Sequence, residues 1–149
     1  MPHGPDDALG YVVMTRVAHG EETFVHTSDV LGPPLKAHLA FLLDADQTVL
    51  YVDGPMTHMP EEYPPSETRK SVANLVRVVR STRVRTILVD HHALRDRAWR
   101  AWTAPLTRAA EEHDVRVVTA AEFLGKAIDQ LEANRDALYG LRPAADQPK

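Results

Sequence analysis

The sequence contains no cysteine. Disulfides and thiolate metal sites are therefore excluded, and any bound metal must be held by histidine and carboxylate, a ligand set that suits zinc, manganese or iron. Long apolar runs are also missing. No stretch approaches the roughly 20 consecutive apolar residues of a membrane span, and the opening MPHGPDDALG lacks a charged-then-apolar signal pattern. No membrane association is expected, and the cytoplasm is the default location. An excess of positive charge is absent too: the formal net charge is −4. That leaves no basic footprint of the kind a nucleic-acid-binding surface carries, so nucleic acid is expected only as a substrate. The GxGxxG, P-loop, GxSxG and HExxH motifs do not occur, nor does His-x-His-x-Asp-His.

What is present is a chain of 149 residues, 44% hydrophobic and 26% charged. It is long enough to bury one core, and its composition is that of an ordinary globular domain. The segment around which the rest is organised is Thr86–Asp96, TILVDHHALRD. Ile87, Leu88 and Val89 read as a buried strand that stops abruptly at Asp90, His91 and His92. In open α/β sheets, ligands gather at the carboxyl ends of strands, where side chains project from a rigid scaffold. Two other runs repeat the design: Glu22–His26 leads into Thr27-Ser28-Asp29, and Thr48–Val52 leads into Asp53-Gly54-Pro55.

Gly10–Val17 and Glu22–His26 are close enough in sequence to form an antiparallel hairpin around Ala18–Glu21. Helical spacing marks Leu35–Leu43, before the connector Asp44–Gln47 and the strand Thr48–Val52. After a proline-rich loop over Met56–Pro65, Ser66 and Glu67 start a helix running to Arg80, with Val72, Leu75, Val76 and Val79 on one face. A strand over Arg85–Val89 follows. A helix near Asp96–Glu112 turns Trp99, Trp102 and Leu106 inward, and Pro105 is expected to kink or split it. The last strand is Val115–Val118. Thr119 and Glu122 then form a capping-box pattern for a final helix through Phe123, Leu124, Ile128, Leu131 and Leu138 towards Gly140. The fold class is α/β: a mixed sheet with a leading hairpin, then β-α-β-α-β-α with parallel strands. Residues 1–141 are expected to form one domain, with 142–149 a frayed tail.

An acid and two imidazoles at a strand end suit a divalent metal, although adjacent residues on an extended chain point to opposite sides. Either His91 or His92 faces the crevice unless the chain has already turned. Asp29 is a candidate ligand, and an Asx-turn at Gly32 would account for it equally well. Asp53 reads equally as a functional carboxylate or a turn residue, with a support for the ligands lying between the two, and is a candidate pocket residue. Thr57 and His58 in the proline-rich loop, together with Asp90 and Arg95, are candidate pocket residues, although Arg95 and Asp96 would also make a local ion pair. By spacing alone His3 is a terminal histidine, and His19, His26, His38 and His113 read as solvated or structural.

The series PHG, LGYVVM, FVHTSDVLGP, VDGPMTH and ILVDHHALRD, in that order over roughly residues 2–125, resembles the C-terminal half of a little-characterised, mainly archaeal group. That group consists of metallo-β-lactamase-fold proteins, predicted to be metal-dependent hydrolases. The resemblance implies half of an α/β/β/α sandwich with a metal site at one edge. It makes His3 and Asp29 metal ligands, Asp29 a metal-bridging one, and a histidine of the Asp-His-His segment, either His91 or His92, the last ligand. Gly54, Pro55 and Thr57 match the pattern, but His58 stands where a tyrosine is expected. The His-x-His-x-Asp-His half is not in this sequence. The remaining ligands suffice for one zinc with an open position.

Two needs follow from half a sandwich: an uncovered sheet face must be buried, and the ligand set must be completed. A homodimer or a separately encoded N-terminal half would answer both. The function implied is hydrolysis of an ester or phosphodiester by a metal-bound water, with Asp29, His91 and His92 carrying the chemistry. The alternatives are a non-catalytic assembly or interaction subunit and, ranked lower, a phosphoesterase of the DHH type.

Overall fold

The computed structural model describes residues 1–140; the tail expected over 142–149 lies outside them. Five strands and five helices alternate along most of the chain: β1 (Thr15–His19), β2 (Glu22–His26), α1 (Lys36–Ala45), β3 (Val49–Val52), α2 (Pro65–Ser81), β4 (Thr86–Val89), α3 (Trp99–Glu112), β5 (Arg116–Val118), α4 (Ala120–Phe123) and α5 (Arg135–Leu138). The strands lie in the sheet in chain order. β1 and β2 are antiparallel, joined at the His19–Glu22 pair by a two-residue turn in which Gly20 supplies a φ of +57°. β2, β3, β4 and β5 are parallel neighbours. The fold is α/β with a mixed sheet, as the sequence pattern predicts.

Strand order decides where the core lies. Crossovers between parallel strands are almost always right-handed, and a sheet that grows in one direction therefore receives α1, α2 and α3 on the same face. Register and burial agree. Val25, Leu50 and Ile87 pair across β2, β3 and β4 and are fully buried with Val52 and Val89 beneath the helices. Burial of such a side chain contributes about 1.5–3 kcal/mol. On the opposite face the rows are Val17, Phe24, Val49 and Thr86, then His26, Tyr51, Leu88 and Val118. Val17 is 55% exposed and Phe24 37%. Among the described residues α4 reaches this face beside β4 and β5, where Arg116 stacks on Phe123 at 5.6 Å.

Several expected boundaries move, each for an identifiable reason. Residues 10–13 do not join the sheet; they fold back on the N-terminus. The Val12 N–H donates to the Met1 carbonyl at 2.8 Å and the His3 N–H to the Gly10 carbonyl at 3.0 Å. Ser66 is not a cap, because α2 begins a residue earlier at Pro65, whose missing N–H costs nothing at a helix start. Val78, not Val76, completes the buried stripe of α2. Pro105 does not split α3: it lies on the exposed side with Ala101, so the backbone bond that its missing N–H forgoes is at the water-facing surface. Trp102 is only partly buried, unlike Trp99.

The largest departure is the final helix. The Thr119–Glu122 capping box forms with both reciprocal bonds, yet α4 lasts four residues. Gly125 at φ +69° ends it, and Leu124, Leu131 and Leu138 are exposed. Of the expected apolar stripe only Ile128 packs against the core, too little to hold a continuous helix. Among the described residues, no helix is long and apolar enough to cross a membrane.

Candidate metal centre

The carboxyl ends of β2, β3 and β4 lie side by side, and each strand delivers one part of a cluster. Asp29 follows β2. Its Oδ1 lies 2.6 Å from His92 Nε2 and 3.3 Å from His3 Nε2, and its Oδ2 lies 3.9 Å from His91 Nε2. Three imidazoles thus surround one carboxylate. His3 comes from the N-terminal hairpin and the other two from the turn after β4.

That both histidines of the pair face Asp29 resolves what sequence left open. His91 sits at φ +51° and His92 at φ −63°, ψ −40°, so the chain has left the extended conformation in which neighbours diverge. A non-glycine residue at positive φ carries a cost, and such strain gathers at functional sites. Asp90 makes the turn possible. Its Oδ1 accepts from the His91 N–H at 2.8 Å and its Oδ2 from the Ala120 N–H at 3.1 Å. Both Asp90 oxygens are engaged by backbone, and the side chain shapes the turn without pointing at Asp29.

Asp53 ties the other two parts together. Its carboxyl accepts from the Leu31 N–H at 2.6 Å and the Gly32 N–H at 3.1 Å, while its carbonyl accepts from the His92 N–H at 2.8 Å. One residue thereby fixes the Asp29 loop and the His92 turn relative to each other. Burial pushes the Asp53 carboxyl up to about 8, against the pull of its backbone donors and with a push from Asp29. Asp53 is therefore largely neutral at neutral pH, the wrong protonation state for a ligand. Gly54 beside it packs directly on the turn: a Cβ there would meet the Ala93 Cβ at 2.6 Å.

Electrostatics separate the partners. Burial depresses the His92 imidazole to about 4, outweighing the hydrogen bond to Asp29, so this ring is neutral near pH 7. Burial works to raise the Asp29 carboxyl, but the His92 hydrogen bond and the surrounding imidazoles outweigh it, leaving Asp29 below its ordinary value. A carboxylate at Asp29 and a neutral imidazole at His92 are protonation states that suit metal binding.

The donor set also fits by size. One ligand atom each from Asp29, His91 and His92 lies within 4.8 Å of the others, whereas His3 reaches Asp29 without belonging to that group. Bonds of about 2.0–2.2 Å in a tetrahedral zinc site put ligand atoms roughly 3.3 Å apart. The His3–Asp29 and His91–Asp29 separations match or exceed that value by little. The shorter His92–Asp29 contact is a hydrogen bond that a cation would replace. His92 Nδ1 is buried without a partner among the described residues.

A cavity of about 330 Å³ lies against the cluster, lined by His26, Ser28, Asp29, Tyr51, Asp53 and His91. His26, Ser28 and Tyr51 are pocket residues that sequence reading does not single out. Strand alternation carries the signal, since His26 and Tyr51 share the uncovered face at the carboxyl ends of β2 and β3, their rings 5.1 Å apart. His58 is outside this pocket; its ring lies parallel to His92 with centroids 6.0 Å apart, buttressing it. Thr57 is buried with its hydroxyl unpartnered among the described residues and does not line the cavity. Arg95 lines a neighbouring depression with Asp90, His91 and Asp129. No Arg95–Asp96 ion pair forms among the described residues; Asp96 Oδ1 accepts from the Ala98 N–H instead.

Comparison with known proteins gives one consistent relationship. The chain is 38% identical over 140 residues to a UPF0282 protein of Metallosphaera sedula, a match covering 93% of this chain and 45% of that one. It is similar to the UPF0282 proteins. A second, from Korarchaeum cryptofilum, is 37% identical over 142 residues, covering 95% of this chain and 47% of the relative. UPF0282 protein SSO3251 of Saccharolobus solfataricus is 34% identical over 140 residues, with 93% and 45% covered. The chain thus spans about half the length of the curated relatives it matches. No family model matches, and no solved structure gives a significant match.

Proposed function

We propose that the cluster at Asp29 holds a divalent metal, zinc first with manganese and iron as alternatives, and that the chain is a metal-dependent hydrolase or one half of one. The observation that carries this reading is the arrangement of His3, His91 and His92 around a single depressed carboxylate at the edge of a cavity. Bound there, a metal supplies Lewis acidity for cleaving an ester or phosphodiester. The chain's own residues do the rest. Asp29, His92, His91 and His3 offer the ligand atoms. Asp53 and Asp90 hold the two ligand-bearing turns, His58 supports the His92 ring, and Tyr51, His26 and Ser28 receive a substrate beside the cluster.

The uncovered face of the sheet supports the finer architectural reading, half of a metallo-β-lactamase-type sandwich. An apolar surface containing Val17, Phe24, Val49 and Tyr51 is unfavourable to leave in water. The curated relatives carry more than half their length outside the match. A separate half-domain, or a second copy of this chain, would bury that face and wall the cavity on its open side. The same observation favours one alternative, an assembly subunit whose chemistry resides in its partner.

The test is metal content per chain, with mass in solution measured on the same chelator-free sample. Near-stoichiometric zinc, manganese or iron that is lost in Asp29→Ala and His92→Ala, with circular dichroism unchanged, is expected. A folded wild-type protein that neither contains nor takes up any of these metals would overturn the hydrolase reading and leave the subunit reading.

A further inference from the structure

We propose that His38 is a positioning residue, which holds His3 at the metal centre through the Pro2 carbonyl. It rests on the metal reading above but draws on a separate part of the molecule. His38 lies on α1, the helix after the Asp29 loop, and is completely buried. A fully buried histidine is uncommon on a short helix that otherwise covers a core with Leu39, Leu42 and Ala45. Its Nε2 lies 3.0 Å from the Pro2 carbonyl oxygen.

The tautomer follows from that partner. A carbonyl only accepts, so Nε2 carries the proton and donates it. Nδ1 is then the bare nitrogen, and it has no partner among the described residues. Burial lowers the basicity of the ring, which keeps it in this neutral form. A buried polar atom left unpaired carries a desolvation cost, so leucine would serve the core better unless the Pro2 bond has a purpose.

The purpose is visible in the hairpin. Residues 1–12 pair with themselves: the Met1 amine donates to the Val12 carbonyl, Val12 N–H to the Met1 carbonyl, and His3 N–H to the Gly10 carbonyl. Its outer side, from Asp6 to Leu9, is exposed. Among the described residues, His38 provides the hydrogen bond that ties this hairpin to the body, beside the His3–Asp29 pair itself. Gly4 adds a steric seat, since a Cβ there would come within 2.9 Å of Leu31 Cδ1. The peptide bond from the tied Pro2 carbonyl to the His3 nitrogen is planar, so the tether lies one rigid unit from the His3 backbone. A ligand on a hairpin whose outer side is exposed needs such a tether, because segments with few contacts to the body open locally at little cost.

The arrangement is that of a partner behind a metal ligand, and losing such a partner costs about 10–100-fold in metal affinity. The experiment compares zinc affinity, by chelator competition, in wild type, His38→Leu, His38→Gln, His3→Ala and the His38→Leu/His3→Ala pair. His38→Leu is expected to weaken zinc by about the same 10–100-fold as His3→Ala, and the double variant no further than His3→Ala alone. His38→Gln, whose amide still donates, is expected to recover most of the affinity. Additive losses, or a His38→Leu protein with wild-type affinity, overturn the proposal.

Two readouts do not depend on metal. Nitrogen-15 histidine spectra of wild type must show His38 protonated on Nε2, and an Nδ1–H tautomer refutes the bond. Backbone relaxation of metal-free His38→Gln and His38→Leu must show residues 1–12 ordered in the first and mobile in the second, with sheet signals unchanged; an ordered hairpin in His38→Leu also refutes it. If wild type binds no zinc but both readouts hold, the metal reading fails while the tether stands.

Discussion

Replacing Gly54 by alanine tests the way the centre is assembled more sharply than removing a ligand. Two separable penalties act there. The backbone sits at φ +78°, which for a residue with a Cβ costs about 1–2 kcal/mol. The new methyl would also lie 2.6 Å from the Ala93 Cβ, 3.2 Å from the Ala93 nitrogen and 3.2 Å from the Asp90 carbonyl oxygen. None of these is the end of a flexible side chain. Overpacking of this kind costs about 1–3 kcal/mol more, giving a total of about 2–5 kcal/mol. Gly20→Ala provides the control: its φ is +57° with nothing within 4 Å of the added methyl, so only the first penalty applies. Urea unfolding of the metal-free proteins reads both, and the Gly54→Ala midpoint should fall by clearly more than the Gly20→Ala midpoint at similar slope. Metal affinity should fall as well, because relief of the clash moves the turn bearing His92 away from Asp53. Equal destabilisation by the two substitutions would refute the claim that the β3 and β4 turns are in rigid contact.

Three further outcomes are expected. His92 has a folded-state value near 4 against an ordinary 6.5, so the unfolded chain binds more protons between these values and stability must rise with pH across that window. In metal-free protein the stability difference between wild type and His92→Gln should grow by about 2–3 kcal/mol from roughly pH 4 to 6.5; a flat difference would contradict the burial of that ring. Asp53 has the opposite sign, being raised to about 8, so the advantage of wild type over Asp53→Asn should shrink as pH climbs from about 4 to 8 in the same unfolding assay. The two sheet faces should respond differently to truncation: Leu50→Ala should cost about 2–5 kcal/mol, whereas Val17→Ser with Phe24→Ser should cost the monomer little while reducing its self-association in sedimentation, and a large loss of monomer stability from that pair would show the face is already covered.

The legible parts of the fold are those where local pattern and tertiary context agree. β2 is readable to the residue, because Thr23 and Val25 alternate with Glu22, Phe24 and His26 as a half-buried strand requires. α2 is readable from its stripe, and β3 and β4 from their short apolar runs. The C-terminal region misleads because Phe123, Leu124, Leu131 and Leu138 have helical spacing yet stay exposed, and Ile128 alone of that stripe packs on the core. Residues 10–13 mislead because β-forming residues pair equally well with any free edge, and the nearest is the N-terminus. At the site, Asp29, His91 and His92 are visible as polar residues closing apolar runs. Their convergence is not, since it depends on the positive φ of His91, and a propensity argument has no access to that. His38 is invisible for a different reason: its partner is a backbone carbonyl 36 positions away, which leaves no trace in residue type.

The chain-order arrangement of the sheet has a consequence for synthesis. Each strand joins the edge left by the one before it, so pairing can proceed as the polypeptide leaves the ribosome, without waiting for a distant segment to insert between earlier strands. His3, Asp29, Asp53 and His92 then emerge in the order in which their supports are laid down. The cluster becomes complete once residue 92 is free, and the Ala120 N–H that braces Asp90 arrives some thirty residues later. Between those two moments the nascent chain would hold Asp29, His91 and His92 together without the Asp90 brace, so the order of synthesis sets when the cluster becomes rigid.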